Sequence, residues 1–282
     1  MKKSLLVVGI IGVLVSQFWN YQYYHSKQLE KPIFLTHYYD HTFYQNDEYT
    51  FSFYYLTNKN EPKQIQYMIA DGVIAYPYRN DDEGITYSDH VSPVDEYDYQ
   101  YLFSSPLSFS YEEIPFDEDG TWSFQEVTVR FTDGDSVTTD IGKVVFRKKR
   151  NPNHSEAIDF TAQGSRTDGT GTVEGYATKS LKIESIETLL GEELAGNIHF
   201  TLNGTEFNTR KPIDPIFVEK DEEIEILWEM GSLASTFEVE LDFTGTTETG
   251  ESFISSLLFT QLPDMDEKTV NELIQEKTGD KQ

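Results

Sequence analysis

The sequence predicts an all-β protein: two tandem antiparallel β-sandwiches behind an N-terminal transmembrane helix, closed by a short C-terminal helix. Three observations carry this expectation. Between residues 31 and 262 apolar side chains recur at every second position, and no stretch holds an i, i+3, i+4 pattern long enough for a substantial helix. Turn clusters such as "RNDDEG", "TDGDS", "TDGTG" and "TGTTETGES" separate these runs. The two halves also end alike. "FQEVTVRFTDGDSVTTDIGKVVF" and "FEVELDFTGTTETGESFISSLLF" are each a long strand ending in Phe-Thr, a glycine-bearing turn, and a second strand ending in two aliphatic residues and Phe.

Taken in order, residues 1–30 read as a signal anchor and an aromatic juxtamembrane segment. Lys2 and Lys3 precede an uncharged, mostly apolar run from Ser4 to Trp19, and such a positive flank stays in the cytoplasm while the following chain is exported. Sixteen helical residues reach about 24 Å, and continuing through Tyr21, Tyr23 and Tyr24 reaches about 31 Å, the thickness of a hydrocarbon core. Small residues for an A-x-A-like cleavage site are poorly supplied after Leu14. An uncleaved anchor is therefore favoured over a removed signal peptide, with the membrane engaged through residues 4–24 and the β domains extracytoplasmic.

Residues 31–146 form the first expected sandwich. "EYTFSFYYL" places Tyr49, Phe51, Phe53 and Tyr55 on one face, as in an antiparallel sheet with one side buried. Residues 147–155 read as a basic linker, since Arg147, Lys148, Lys149 and Arg150 precede a proline and show no alternation. Residues 156–262 form the second sandwich, where "FEVELDF" sets Phe237, Val239, Leu241 and Phe243 against Glu238, Glu240 and Asp242. Residues 263–282 hold a short helix and tail. Asp266 is placed to cap it, Gly279 to end it, and its stripe of Val270, Leu273 and Ile274 is expected to dock on the second sandwich.

Charge narrows the function classes. The chain carries 49 acidic and 22 basic residues, a formal charge of -27. Residues 31–146 and 156–262 each contain 21 acids and 6 bases. A surface so acidic repels phosphate backbones, so no nucleic acid is expected as a partner. The four basic residues of the linker are expected to draw the acidic ends of both halves toward the joint. The absence of cysteine excludes disulfides, thiolate catalysis and Cys-ligated zinc.

The segment "DEDGTWSFQEVTVRFTDGDSVTTDIGKVVF" resembles the last two strands of bacterial extracellular immunoglobulin-like β-sandwich repeats. The corner would be Asp117, Gly120 and Trp122, and the turn Thr132, Asp133 and Gly134. The resemblance implies immunoglobulin-like sandwiches of the kind used on cell surfaces for spacing, adhesion and ligand binding; "GSLASTF" in the second half departs from the pattern. It identifies no activity.

Candidate sites follow from residue type. Tyrosine is the most uneven feature, because 17 of 18 lie at or before Tyr111. Tyr76, Tyr78, Tyr87, Tyr97, Tyr99 and Tyr101 crowd one stretch interleaved with Asp and Ser. Tyrosine offers a broad apolar face and a hydroxyl at low entropic cost, which suits a ligand-binding surface for a cell-wall glycan or a surface protein; cross-strand packing in a sheet is the other use. Asp117, Asp119, Asp133 and Asp135 cluster hard oxygen donors in turns, a possible calcium site without EF-hand spacing, although acidic residues also make good turns unaided. No other cofactor is expected. His37 and His41 stand four apart, but in a strand that separates them by about 13 Å, so they read as a surface or edge-strand pair. No motif for a catalytic nucleophile or a phosphate-binding loop appears. The expected role is thus a membrane-anchored binding or structural module rather than an enzyme. The alternatives are a glycan hydrolase with a carboxylate pair and an accessory subunit of a membrane complex.

Overall fold

The computed structural model describes residues 2–43, 48–78, 92–148, 157–166, 168–209, 213–231 and 234–279. The first half contributes β1 (Ile33–Phe34), β2 (Thr36–Phe43), β3 (Glu48–Asn58), β4 (Ile65–Ala70), β5 (Val73–Pro77), β6 (Asp95–Glu96), β7 (Gln100–Ser110), β8 (Thr121–Phe131) and β9 (Ser136–Lys148). The second contributes β10 (Ile158–Ser165), β11 (Thr170–Ala177), β12 (Leu181–Glu187), β13 (Ile198–Leu202), β14 (Thr205–Phe207), β15 (Ile216–Val218), β16 (Glu223–Met230), β17 (Ser235–Thr247) and β18 (Ser252–Gln261). Among the described residues three α-helices accompany them: α1 (Lys2–Ser26), α2 (Gly191–Asn197) and α3 (Glu267–Thr278).

Each half fills its own interior by alternation. In the first, rings from β3 and β7 meet rings from β8 and β9: Phe51 lies 4.7 Å from Phe146, and Phe109 lies 5.9 Å from Trp122, centroid to centroid. In the second, the five-stranded antiparallel sheet β10-β11-β16-β13-β14 covers β17 and β18. There Trp228 stands perpendicular to Phe259 at 5.1 Å.

The halves are nevertheless hydrogen-bonded into one sheet. Thirteen strands run in the order β1-β3-β7-β5-β4-β8-β9-β2-β17-β12-β15, with β18 on β17 and β6 on β7. The splice is β2, which pairs in parallel with β9 on one side and β17 on the other, so that Tyr38 faces both Lys143 and Phe237. Because β18 occupies one edge of β17 from Phe237 to Thr246, its other edge is shared. β2 takes Ser235–Val239 and β12 takes Asp242–Thr247. This mixed sheet corrects the expectation of two separate antiparallel immunoglobulin-like sandwiches. Parallel partners need no turn between them, so no local signal marks the pairing.

The expected transmembrane helix is also corrected. Among the described residues no helix is long and apolar enough to cross a membrane. α1 is long, but its uninterrupted apolar run, Leu5–Val15, reaches only about 16 Å. Ser16, Gln17, Asn20, Gln22, His25 and Ser26 then dilute the helix. Single-pass placement, a signal anchor and membrane contact through residues 4–24 are therefore not supported.

α3 forms as expected. The Asp266 side chain accepts from the Thr269 N–H at 2.8 Å, and Gly279 closes the helix at φ 70°. Its docking differs from expectation, because Val270 and Leu273 bury against the first half, with Leu29, Leu35, Tyr54, Leu56, Tyr97 and Leu102. The cause lies in β3. Tyr54 and Leu56 are apolar on the face opposite Phe53 and Tyr55, so both sides of the strand need cover.

Candidate functional site

β4 and β5 form a hairpin through Asp71 and Gly72, and its pleat sorts side chains cleanly. Met68, Ala70, Val73 and Ala75 point inward and are buried. The intervening Tyr67, Ile69, Ile74 and Tyr76 therefore point outward, and the exposed Tyr78 continues the row. Tyr67 and Tyr76 lie 6.2 Å apart, centroid to centroid. Tyr76 is 58% exposed and Ile74 37%, so this is an uncovered aromatic and aliphatic face rather than core. Its borders are polar. Arg130 stands opposite Tyr67 and Thr128 opposite Ile69 on β8, while Ser108 of β7 stands opposite Tyr76.

The six candidate tyrosines thus divide. Tyr76 and Tyr78 lie on this face, and Tyr67, which the sequence alone does not single out, joins them. Tyr87 lies outside the described residues. Tyr97 is buried in the small core under α3, and that burial pushes its hydroxyl pKa up, with Asp95 adding to the rise. Tyr99 packs edge-on to Tyr23 and Tyr24 of α1 at 6.4 and 6.0 Å. Tyr101 lies beneath the Lys59 ammonium, 5.4 Å from its ring centroid. These three tie elements together.

The acidic turns hold protein partners. The Asp117 carboxylate accepts from the Thr121 N–H and hydroxyl, both at 2.8 Å, which lowers its pKa. Lys63 donates to Asp133 at 2.5 Å and to Asp135 at 2.6 Å, so an ammonium occupies the position between these carboxylates. Those bonds raise the lysine pKa and lower that of Asp133. Asp119 does not join either pair. Among the described residues no three His, Asp or Glu side chains converge as a metal site.

Sequence reasoning missed the polar centre of the molecule. His37 is fully buried rather than at an edge. Its Nε2 accepts from the Tyr54 N–H at 2.9 Å and its Nδ1 lies 3.3 Å from the Ile141 carbonyl, so the neutral ring bridges β3 and β9. Burial lowers its pKa to about 3. His41 contacts Glu238 of β17 at 3.2 Å.

Beside them, where β2 and β12 part along the edge of β17, the Asp40 carboxylate closes the fork with zero exposure. It receives Thr188 Oγ1, the Leu189 N–H and Arg147 Nη2, each at 3.1 Å. Arg147 also reaches Asp242 at 3.4 Å and Glu240 at 3.7 Å. Burial pushes the Asp40 pKa up against the pull of Arg147. Arg147 and Lys148 belong to β9; Lys149 and Arg150 lie outside the described residues. The three carboxylates that gather here are held by one guanidinium, in a structural cluster.

No protein family matches the chain, and no curated protein matches it. Among solved structures it is similar to one from a 1.5-MDa bacterial ice-binding adhesin, described for its retention on the host cell surface. Identity is 13% and the TM-score 0.22, with 76% of this chain aligned. The aligned part spans 58% of the adhesin chain's length, and at that score the likeness assigns neither fold nor role. What stands is a mostly β chain built on one large mixed sheet.

Proposed function

We propose that the chain is a binding module whose working surface is the outer face of β4 and β5, suited to the rings of a cell-wall glycan. The observation that supports this is the row Tyr67, Ile69, Ile74, Tyr76 and Tyr78, left uncovered among the described residues, whereas the rings that β3, β7, β8 and β9 turn inward are packed in the core. Flat tyrosine faces stack on the apolar side of a sugar ring at low entropic cost, and Arg130 and Thr128 can bond its hydroxyls. An extended groove-free face of this kind fits a polymer better than a small molecule, since the latter is usually enclosed.

The test is retention of the full chain on insoluble peptidoglycan and on chitin, with soluble bovine albumin as competitor. Tyr67→Ala/Tyr76→Ala should weaken retention roughly tenfold or more, from about 0.5 to 1.5 kcal/mol per stacked ring plus lost burial. Tyr101→Ala should leave it unchanged. Retention on neither polymer, or equal retention of the double variant, defeats the proposal.

A further inference from the structure

A groove of ≈ 800 Å³ opens between the chain leaving α1 and the C-terminal helix. Its walls are residues 25–34, Tyr99 and Gln100 at the start of β7, Val137 and Thr139 of β9, and one side of α3. The size falls in the range of about 300–1,000 Å³ that encloses an ordinary organic ligand. Leu29, Ile33, Phe34 and Val137 are buried beneath it and Ile274 is partly so, which makes the floor apolar.

The rim has the opposite charge to the molecule. Among the described residues, Lys27, Lys31 and Lys277 line the groove with a single carboxylate, Glu30, in a chain where acids outnumber bases 49 to 22. Lys27 and Lys277 stand where α1 and α3 end, and cations there complement the negative pole of a helix. That effect does not account for Lys31, five residues beyond α1, nor for two helix ends meeting over one apolar floor. Neither Lys31 nor Lys277 enters an ion pair among the described residues.

We infer that this groove binds a small organic anion, its carboxylate or phosphate head held by Lys31 and Lys277 and a short apolar body lying against Leu29, Ile33 and Ile274. The site stands apart from the tyrosine face and does not rest on it. The surrounding acidic surface disfavours large polyanions, which would meet repulsion beyond the groove, and admits a ligand small enough to be screened from it within about 8–10 Å.

Calorimetric titration of the full chain with hexanoate, hexyl phosphate, hexan-1-ol and hexylamine tests this. One saturable site for at least one of the two anions, weakened by added salt and absent for the alcohol and the amine, is the expected result; which head binds better identifies the natural class. Lys31→Gln/Lys277→Gln should weaken that affinity about tenfold, each exposed contact contributing up to about fivefold. Glu30→Gln should strengthen it. Both lysines are exposed, and circular dichroism of the variants checks that the fold is kept. No saturable heat with either anion, equal binding of the alcohol, or undiminished binding by the double variant overturns the assignment.

Discussion

Asp40 and His37 are one strand's two buried polar side chains, and they behave differently because one can stay neutral. A buried carboxylate left without its cation costs about 3–5 kcal/mol. Arg147→Gln should therefore destabilise the protein by roughly that amount in urea unfolding. Asp40→Asn keeps an acceptor for Thr188 and Leu189 and should cost only about 1–2 kcal/mol. Equal losses would show that the pair acts by packing alone. His37 is held neutral, with a pKa lowered by burial to about 3 from an ordinary 6.5. Its contribution is thus fully present above pH 6.5 and drains away as pH falls toward 3, at up to about 1.4 kcal/mol per pH unit. Stability should decline across that window in the wild type and more shallowly in His37→Gln. Parallel slopes would remove His37 as the cause. At this scale the sequence was readable where a residue acts locally, as with Asp266 capping α3. It was not readable for Asp40, whose partners Arg147, Thr188 and Leu189 lie 107 or more residues away, nor for His37, which joins Tyr54, 17 residues on, to Ile141, 104 residues on.

Among elements, the hairpins β8–β9 and β17–β18 were plain in the sequence because alternation and a glycine turn are local properties. β2 was not, since a strand paired in parallel on both sides has its partners fixed by the rest of the sheet. Its polar residues also suggested an edge. The close approach this strand demands is recorded at Gly142, which takes φ +92° and whose added Cβ would come within 2.4 Å of the His37 carbonyl oxygen and 2.8 Å of its nitrogen. Gly142→Ala should cost at least about 2 kcal/mol, combining left-handed strain with displacement of β2. Gly72, at φ +83° with open space around it, isolates the first effect, and Gly72→Ala should cost about 1 kcal/mol. Urea midpoints of the two variants decide the matter, and equal shifts would mean that β2 gives way freely. The tyrosine face was half visible by the same logic: composition singled out Tyr76 and Tyr78, but only the β4–β5 register brings Tyr67 beside them.

For the whole molecule, separate cores and a shared sheet pull in opposite directions. The first core draws on residues 34–146, and the second on residues 157–259 with Val145, so each half holds apolar material for a fold of its own. Against this stand five register positions between β2 and β17, the Tyr38–Phe237 stack at 4.8 Å, the Arg147 cluster, and α3 lying across the first half. Burying Met265, Val270 and Leu273 contributes about 1.5–3 kcal/mol each before entropy is counted. That sum is comparable with the 5–15 kcal/mol that stabilises a typical domain. The halves should therefore melt together, in one calorimetric transition of the full chain. A fragment of residues 157–282 should retain β structure but melt lower, because Ser235–Val239 becomes an open edge and α3 loses its seat. Such an edge is a template for pairing with another chain, so the fragment should also associate in a concentration-dependent way. Adding charge on that edge by Thr236→Lys should suppress the association without restoring the melting temperature. Two full-chain transitions, one matching the fragment's own, would show instead that β2 joins the halves without coupling them.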